Sequence, residues 1–225
     1  MAQVKFGTIV TEIRGKSGGN VFSRAQGGSY MKNKSTPMNP QTPLQSIVRG
    51  WMTLFAGLFK SLGQTVIDAW NEAAVNFPKV NVFGDSYTVS GIALFTELNI
   101  NLRKIGVASI TTPPMPGVVH QVTLEEVLAA PGQLELAIDF AIPNSQIALV
   151  RATPMLSAGI RNYKKYLRDL TTFDSASGTA IDILTEYQDK FGTLEQGTLI
   201  GIEIVCINKT TGQSGAGAKN YAIVA

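Results

Sequence analysis

TPLQSIVRGWMTLFAGL, residues 42–58, contains the strongest helix-start signal of the chain. Thr42 stands at the N-cap position, Pro43 at the first helical position and Gln45 at the third, which together satisfy free backbone donors at a helix start. Apolar residues then recur at three- and four-residue steps, namely Leu44, Ile47, Val48, Trp51, Phe55 and Leu58. The pattern predicts a helix of about four turns with one wide apolar stripe.

Two further amphipathic helices are predicted downstream of this one. The apolar positions of the second are Val66, Trp70, Ala73, Ala74 and Phe77, and Pro78 lies just past its end. The third begins near Ser90 and aligns Leu94, Phe95, Leu98, Leu102 and Ile105. Trp51 and Trp70 fit the stripes of the first two helices, where core packing is far more common than ligand stacking. Residues 42–106 are therefore predicted to form a small three-helix domain.

The chain before the helix start, residues 1–41, is typical of an extended β-hairpin arm. Its β-leaning runs, at 4–14 and 20–24, are separated by the glycine-rich stretch 15–19. The prolines that follow keep residues 32–43 extended, and the apolar content is too low for a core. We expect the arm to add its strands to a neighbouring subunit. The residues expected to make this contact are Phe6, Ile9, Arg14, Lys16, Val21, Phe22, Arg24 and Tyr30.

Positive charge is concentrated in the arm. The formal net charge of the whole chain, +3, is too weak to indicate nucleic-acid binding by itself. Within residues 1–35, however, Lys5, Arg14, Lys16, Arg24, Lys32 and Lys34 stand against Glu12 alone. Two interpretations stay open: an electrostatic contact with nucleic acid, or solvated strand faces that resist aggregation.

The second half of the chain is predicted to be a β domain. Residues 107–117, VASITTPPMPG, contain closely spaced prolines and are interpreted as a linker. Beyond them the β-rich runs are VTLEEVLAA, QLELAIDF, QIALVRAT, YLRDLTTF, LIGIEIVCIN and NYAIVA. They predict an immunoglobulin-like or fibronectin-like sandwich over residues 118–225, although 180–191 keeps the spacing of a short helix between sheets. The predicted fold class is α+β.

No catalytic, cofactor or metal site is predicted, and an enzyme is not expected. Residues 15–17 read GKS, as at the end of a phosphate-binding loop. Such a loop also needs a glycine five residues before Gly15, and that position is occupied by Val10. The stretch 214–218 lacks the third glycine of a dinucleotide-binding turn. The single histidine, His120, excludes a histidine cluster, and Cys206, the single cysteine, falls in an apolar run where it is expected to be buried.

Composition suits a protein that is buried among copies of itself. Hydrophobic residues make up 44% of the chain and charged residues only 16%. No apolar run approaches the roughly 18 residues of a membrane span, and no secretion signal is recognised at the N-terminus. We therefore expect no membrane partner.

The order of several motifs resembles a group of uncharacterised phage and prophage proteins. The matching stretches are GKSGGNVFSR at 15–24, PMNPQTPLQ at 37–45 with Arg49 and Trp51, the Trp-Asn pair at 70–71, and FGDSYTVSGIALFTELN at 83–99. The resemblance covers the first half of the chain, and the β half is similar only in type. It implies a structural protein of a tailed-phage head, neck or tail, made in the cytoplasm of a bacterial host and found in the virion. The implied partners are copies of the chain and other virion proteins.

Overall fold

The structure, a computed structural model, describes residues 2–3, 7, 10, 13–25, 28–36, 38–39, 41–80, 85–139, 141–175 and 178–225. Within these residues the chain is mixed α+β, with N-terminal strands, four α-helices and C-terminal antiparallel strands. It divides into two compact units, Met1–Ile47 and Val48–Ala225. The predicted linker at 107–117 lies inside the second unit, and the split into a helical and a β domain stays a prediction.

The first unit is an antiparallel sheet of the strand order β1-β4-β3-β2. Its strands are β1 (Ala2–Gln3), β2 (Gly15–Ser17), β3 (Asn20–Ala25) and β4 (Gly28–Asn33). Strands β2 and β3 form a hairpin that turns at Gly18, where a φ of 57° favours glycine. Its first strand lies in the stretch 15–19 that was predicted to separate the two strands, and most of the predicted first run, 4–14, lies outside the described residues. The sheet is larger than this hairpin, because β4 pairs with β3 along its whole length.

The helices are α1 (Pro43–Ser61), α2 (Gln64–Ala73), α3 (Gly91–Lys104) and α4 (Leu184–Phe191). The predicted start of α1 is confirmed, and the backbone N–H of Gln45 donates to Thr42 Oγ1 at 3.4 Å. At 19 residues α1 is longer than the predicted four turns. Helices α2 and α3 confirm the other two. Helix α4 confirms the helical alternative for residues 184–191, whereas Ala180–Asp182 form a strand.

The helical part of the second unit has its own aromatic core. Trp70 is fully buried, and its ring meets that of Phe95 edge to face at 5.1 Å. Trp70 Nε1 donates to the carbonyl of Thr111 at 2.8 Å, while Asn99 Oδ1 accepts from the backbone N–H of Ile110 at 2.7 Å. The first part of the proline-rich segment is therefore fixed to α2 and α3.

The apolar stripe of α1 is only partly covered. Phe55 is buried, and Trp51 is half-buried beneath the guanidinium of Arg103, 5.7 Å from the ring centre. The exposed stripe residues are Leu44, Ile47, Val48 and Leu58, at 41–60% exposure. The residue spacing thus identifies the apolar face of the helix but not how much of it is buried.

The C-terminal strands form two antiparallel sheets. The larger contains β9 (Gln146–Ala152), β10 (Leu156–Ser157), β11 (Arg168–Phe173), β13 (Thr198–Asn208) and β14 (Ala218–Ile223). The smaller has the order β12-β8-β7, from β7 (Leu124–Ala130), β8 (Gln133–Ile138) and β12 (Ala180–Asp182). A separate short ribbon joins β5 (Lys79–Val80) to β6 (Ser86–Tyr87).

One buried cluster draws side chains from both sheets. Leu136 of β8 and Ile202 of β13 are fully buried in it, and Cys206 is 2% exposed, so its predicted burial is confirmed. Helix α4 is attached to the same core, since the hydroxyl of Tyr187 donates to the carbonyl of Thr153 at 2.9 Å. The two sheets therefore share a core.

Candidate functional site

The register of the arm places its lysines in a row on one side of the sheet. Lys16 on β2 stands opposite Val21 on β3, and Val21 in turn stands opposite Lys32 on β4. Because side chains alternate along a strand, Tyr30, two residues before Lys32, belongs to the same side. We call this surface, formed by Lys16, Val21, Tyr30 and Lys32, the lysine face.

The other predicted arm residues lie on the opposite side of the sheet. Phe22 is half-buried and stands opposite Met31 of β4, and Arg24 lies two residues further along β3. We call this surface, formed by Phe22, Arg24 and Met31, the phenylalanine face. Arg14 is exposed just before β2. The predicted contact residues therefore divide between two faces instead of forming one surface.

No arm side chain is buried among residues 7, 10, 13–24, 29–36, 38–39 and 41, whose exposure the structure describes. Beyond them, the first buried residue is Phe55, in the middle of α1. Two of the predicted contact residues, Phe6 and Ile9, lie outside the described residues. A sheet of this size needs a buried face, or packing against another element, to be stable in water. The arm side chains whose exposure is described do not form a core of their own.

An apolar groove lies beside the exposed stripe of α1. It measures about 440 Å³ and is lined by Met52, Ile92, Ala93, Thr96, Glu97, Ile100 and Asn101. Met52, which comes from α1, is 51% exposed. The groove extends the apolar surface of α1 onto α3.

A row of paired charges crosses the larger C-terminal sheet. Asp169, Arg151, Glu203 and Lys219 stand opposite one another on β11, β9, β13 and β14. The Arg151 side chain donates from Nε to Asp169 at 2.8 Å and from Nη1 to Glu203 at 3.0 Å. Burial lowers the pKa of Arg151, but the bonds to Glu203 and Asp169 outweigh it and raise that pKa above its ordinary value.

Glu203 is the centre of this row. It is 7% exposed and also pairs with Lys219, Nζ to Oε1, at 3.0 Å. The row is not predicted by the residue patterns, although Glu203 is the one charged residue in the apolar run 199–208. Since each charge in the row has an opposite neighbour, the arrangement holds strands together and offers no group for proton transfer.

The remaining titratable groups do not converge on a site. In the part of the chain that the structure describes, no group of three metal-ligating side chains comes together. Burial raises the pKa of Cys206 to about 11, which keeps the thiol protonated and unreactive near neutral pH. Thr42 and Gln45 lie at the start of α1, and Trp70 lies in the helical core. The sequence-predicted residues therefore do not assemble into one pocket.

Comparison with known proteins adds no relative. No family model matches the chain, and neither do any curated protein or any solved structure. No helix within the described residues combines the length and the apolar character that a bilayer span requires.

Proposed function

We propose that this chain is a structural component of a tailed-phage virion that assembles with copies of itself through its N-terminal arm. One observation carries the proposal: the described arm forms a sheet, and none of its side chains whose exposure is described is buried. The phenylalanine face, with half-buried Phe22 and Met31, supplies the apolar surface that a neighbour would cover. Such coverage would compensate the entropy lost when the arm becomes ordered.

The edges of the arm sheet suit the addition of a strand. Strands β1 and β2 are the outer strands, and both are short, with two and three residues. An outer strand leaves backbone N–H and C=O groups without a ladder partner on one side, and a strand from another subunit can pair with them. The sequence resemblance to phage and prophage proteins indicates the particle in which such pairing would occur.

For residues 118–225 we propose an immunoglobulin-like sandwich that is docked or displayed on the particle. Leaving aside the short strand β10, we count the seven strands of this region in chain order from β7 to β14. Strands one, two and five, which are β7, β8 and β12, form one sheet. Strands three, four, six and seven, which are β9, β11, β13 and β14, form the other. The order 5-2-1 against 4-3-6-7 divides six strands as a constant-type immunoglobulin domain does and differs in the fourth, which that domain places beside the fifth. Helix α4 lies in the connection between the fifth and sixth of these strands.

The first experiment is the native mass of the chain by light scattering, beside a variant that lacks residues 1–36. The full chain is expected to form a defined oligomer, and the deletion is expected to reduce it to a monomer. An unchanged mass after deletion would show that the arm does not mediate assembly.

A point variant keeps the arm and removes only its apolar contact. Phe22→Ser combined with Met31→Ser is expected to lower the oligomer mass, because it removes the apolar side chains of the phenylalanine face. Asn33→Ser, at an exposed position of the same sheet, is the control and should leave the mass unchanged. For the virion, an antibody against the chain should detect it in particles sedimented from an induced lysogen. Detection only in the soluble fraction would overturn the virion assignment.

A further inference from the structure

The lysine face continues into a pocket at the end of β4. The pocket measures about 380 Å³ and is lined by Lys16, Val21, Lys32, Lys34, Ser35 and Thr36. The backbone N–H of Lys34 donates to the carbonyl of Gly19 at 2.8 Å, which holds the chain beyond β4 against the β2–β3 turn. Three ammonium groups and two hydroxyl groups therefore share one depression.

The positive charge of this pocket has no counter-charge in the described structure. Lys16, Lys32 and Lys34 are exposed, and no described carboxylate forms an ion pair with any of them. Lys16 and Lys32 lie two strand spacings apart, about 10 Å, with the uncharged side chain of Val21 between them. The mutual repulsion of such a row is relieved when an anion binds across it.

We propose that the lysine face binds the phosphodiester backbone of nucleic acid, without base sequence preference. Lysine ammonium groups bind phosphate as point charges, and the hydroxyls of Ser35 and Thr36 can donate to further phosphate oxygens. The pocket offers no guanidinium or amide side chain for the edge of a base. This activity goes beyond the assembly role and uses the opposite side of the sheet from the phenylalanine face.

Tyr30 favours nucleic acid over an acidic protein surface as the ligand. It is half-buried and lies on the same side of β4 as Lys32, two residues away. An aromatic ring beside a basic groove provides a surface on which bases stack, and stacking is tolerant of sequence. A carboxylate-rich protein would use the lysines but has no need of the ring. Tyr30 and Lys32 share a side through alternation along β4, whereas Lys16 joins them only through the strand register.

The test measures binding of full-length protein to a fluorescent twenty-nucleotide oligo-dT by anisotropy, at several salt concentrations. The variant with Lys16→Gln, Lys32→Gln and Lys34→Gln is expected to bind about tenfold or more weakly, and its salt slope should fall by about 2, close to 0.7 per lost phosphate contact. The control carries Lys60→Gln, Lys164→Gln and Lys165→Gln, which remove the same charge from exposed positions of the second unit. It should bind within about twofold of the unaltered chain.

A second variant tests the tyrosine. Tyr30→Leu keeps an apolar side chain but removes the ring, and should weaken binding to oligo-dT by about fivefold or more while leaving duplex DNA unaffected. An equal loss for both ligands would show that the ring acts only by supporting the sheet.

Three results would overturn the proposal: no binding by the unaltered chain, equal losses in both lysine triples, or displacement of oligo-dT by polyglutamate of equal charge. The last result would assign the face to acidic protein surfaces. Native mass separates this proposal from the assembly role. The triple Lys16, Lys32 and Lys34 variant should keep the oligomer, because it leaves Phe22 and Met31 in place.

Discussion

Arg151 and Glu203 face each other across β9 and β13, with Nη1 of the arginine 3.0 Å from Oε2 of the glutamate. Arg151→Met would remove this bond and the one to Asp169, leaving the buried Glu203 with Lys219 alone. We expect the free energy of unfolding to fall by about 3 kcal/mol, because a buried charge loses a partner. Urea unfolding measures this change.

The matched control for Arg151 is Arg168→Met on β11. Arg168 is exposed and donates only to the carbonyl of its neighbour Leu167 among the bonds of the described chain. Its loss should change the free energy of unfolding by less than about 0.5 kcal/mol. Equal effects of the two substitutions would contradict the structural role of the charge row.

Cys206 should make the stability of the second unit depend on alkaline pH. Burial raises the pKa of its thiol to about 11, whereas a thiol in an unfolded chain ionises near ~8.5. Between these values the unfolded chain loses a proton that the folded chain keeps, so the contribution is complete below pH ~8.5 and lost as pH rises towards 11.

The comparison that isolates this effect is the unaltered chain against Cys206→Ala. At neutral pH the alanine variant is the less stable, because it leaves a small cavity in the core. The difference in unfolding free energy between the two chains should shrink above pH ~9, since only one of them has the thiol. Burial also raises the pKa of Tyr187, but this residue is present in both chains, so its ionisation cancels in the difference. A difference that stays constant with pH would contradict the burial of the thiol.

Gly201 of β13 lies against the ring of Tyr163, so that a Cβ at this position would overlap the ring carbons. Gly201→Ala is expected to destabilise the chain by about 1–3 kcal/mol through overpacking. Adding Tyr163→Ala should recover part of that loss, so the double variant costs less than the sum of the two single changes. Gly159→Ala, where no atom lies within 4 Å of the added carbon, is the control for thermal unfolding.

The exposed and buried parts of α1 should respond differently to substitution. Leu44→Gln with Val48→Gln alters residues that are 60% and 47% exposed, so the free energy of unfolding should change by less than about 0.5 kcal/mol. Phe55→Ala, at a position 1% exposed, should cost about 3–5 kcal/mol. The glutamine pair is expected to lower the native mass in light scattering although it leaves the stability of the chain unchanged, because it alters exposed residues of the stripe. Phe55→Ala is not expected to lower the native mass. An unchanged mass would mean that the stripe takes no part in assembly.

Helix starts were predictable from sequence because their signals are local. Thr42 and Pro43 are adjacent and specify the beginning of α1 through their own backbone and side-chain chemistry. Ser90 occupies the N-cap position of α3, which begins at Gly91, although its side chain makes no capping hydrogen bond. Alternation likewise predicted the burial of Cys206 in a strand.

Features that depend on strand register were not predictable. Strand β4 has few β-favouring residues, and it forms because β3 presents a matching edge. Arg151 and Glu203 are separated by 52 residues, so their pairing depends on how β9 aligns with β13. The coverage of α1 also depends on which residues of α3 reach it, which spacing within one helix does not encode.

The position of β13 in the chain affects the order of events during synthesis. This 11-residue strand pairs with β9, β10 and β14, so the larger sheet has no centre until the ribosome has translated residue 208. At elongation rates of about 5–20 residues per second, the arm, residues 1–41, is translated roughly ten to thirty seconds earlier. Throughout that interval the arm of a nascent chain exists without the folded β sheet of its own polypeptide.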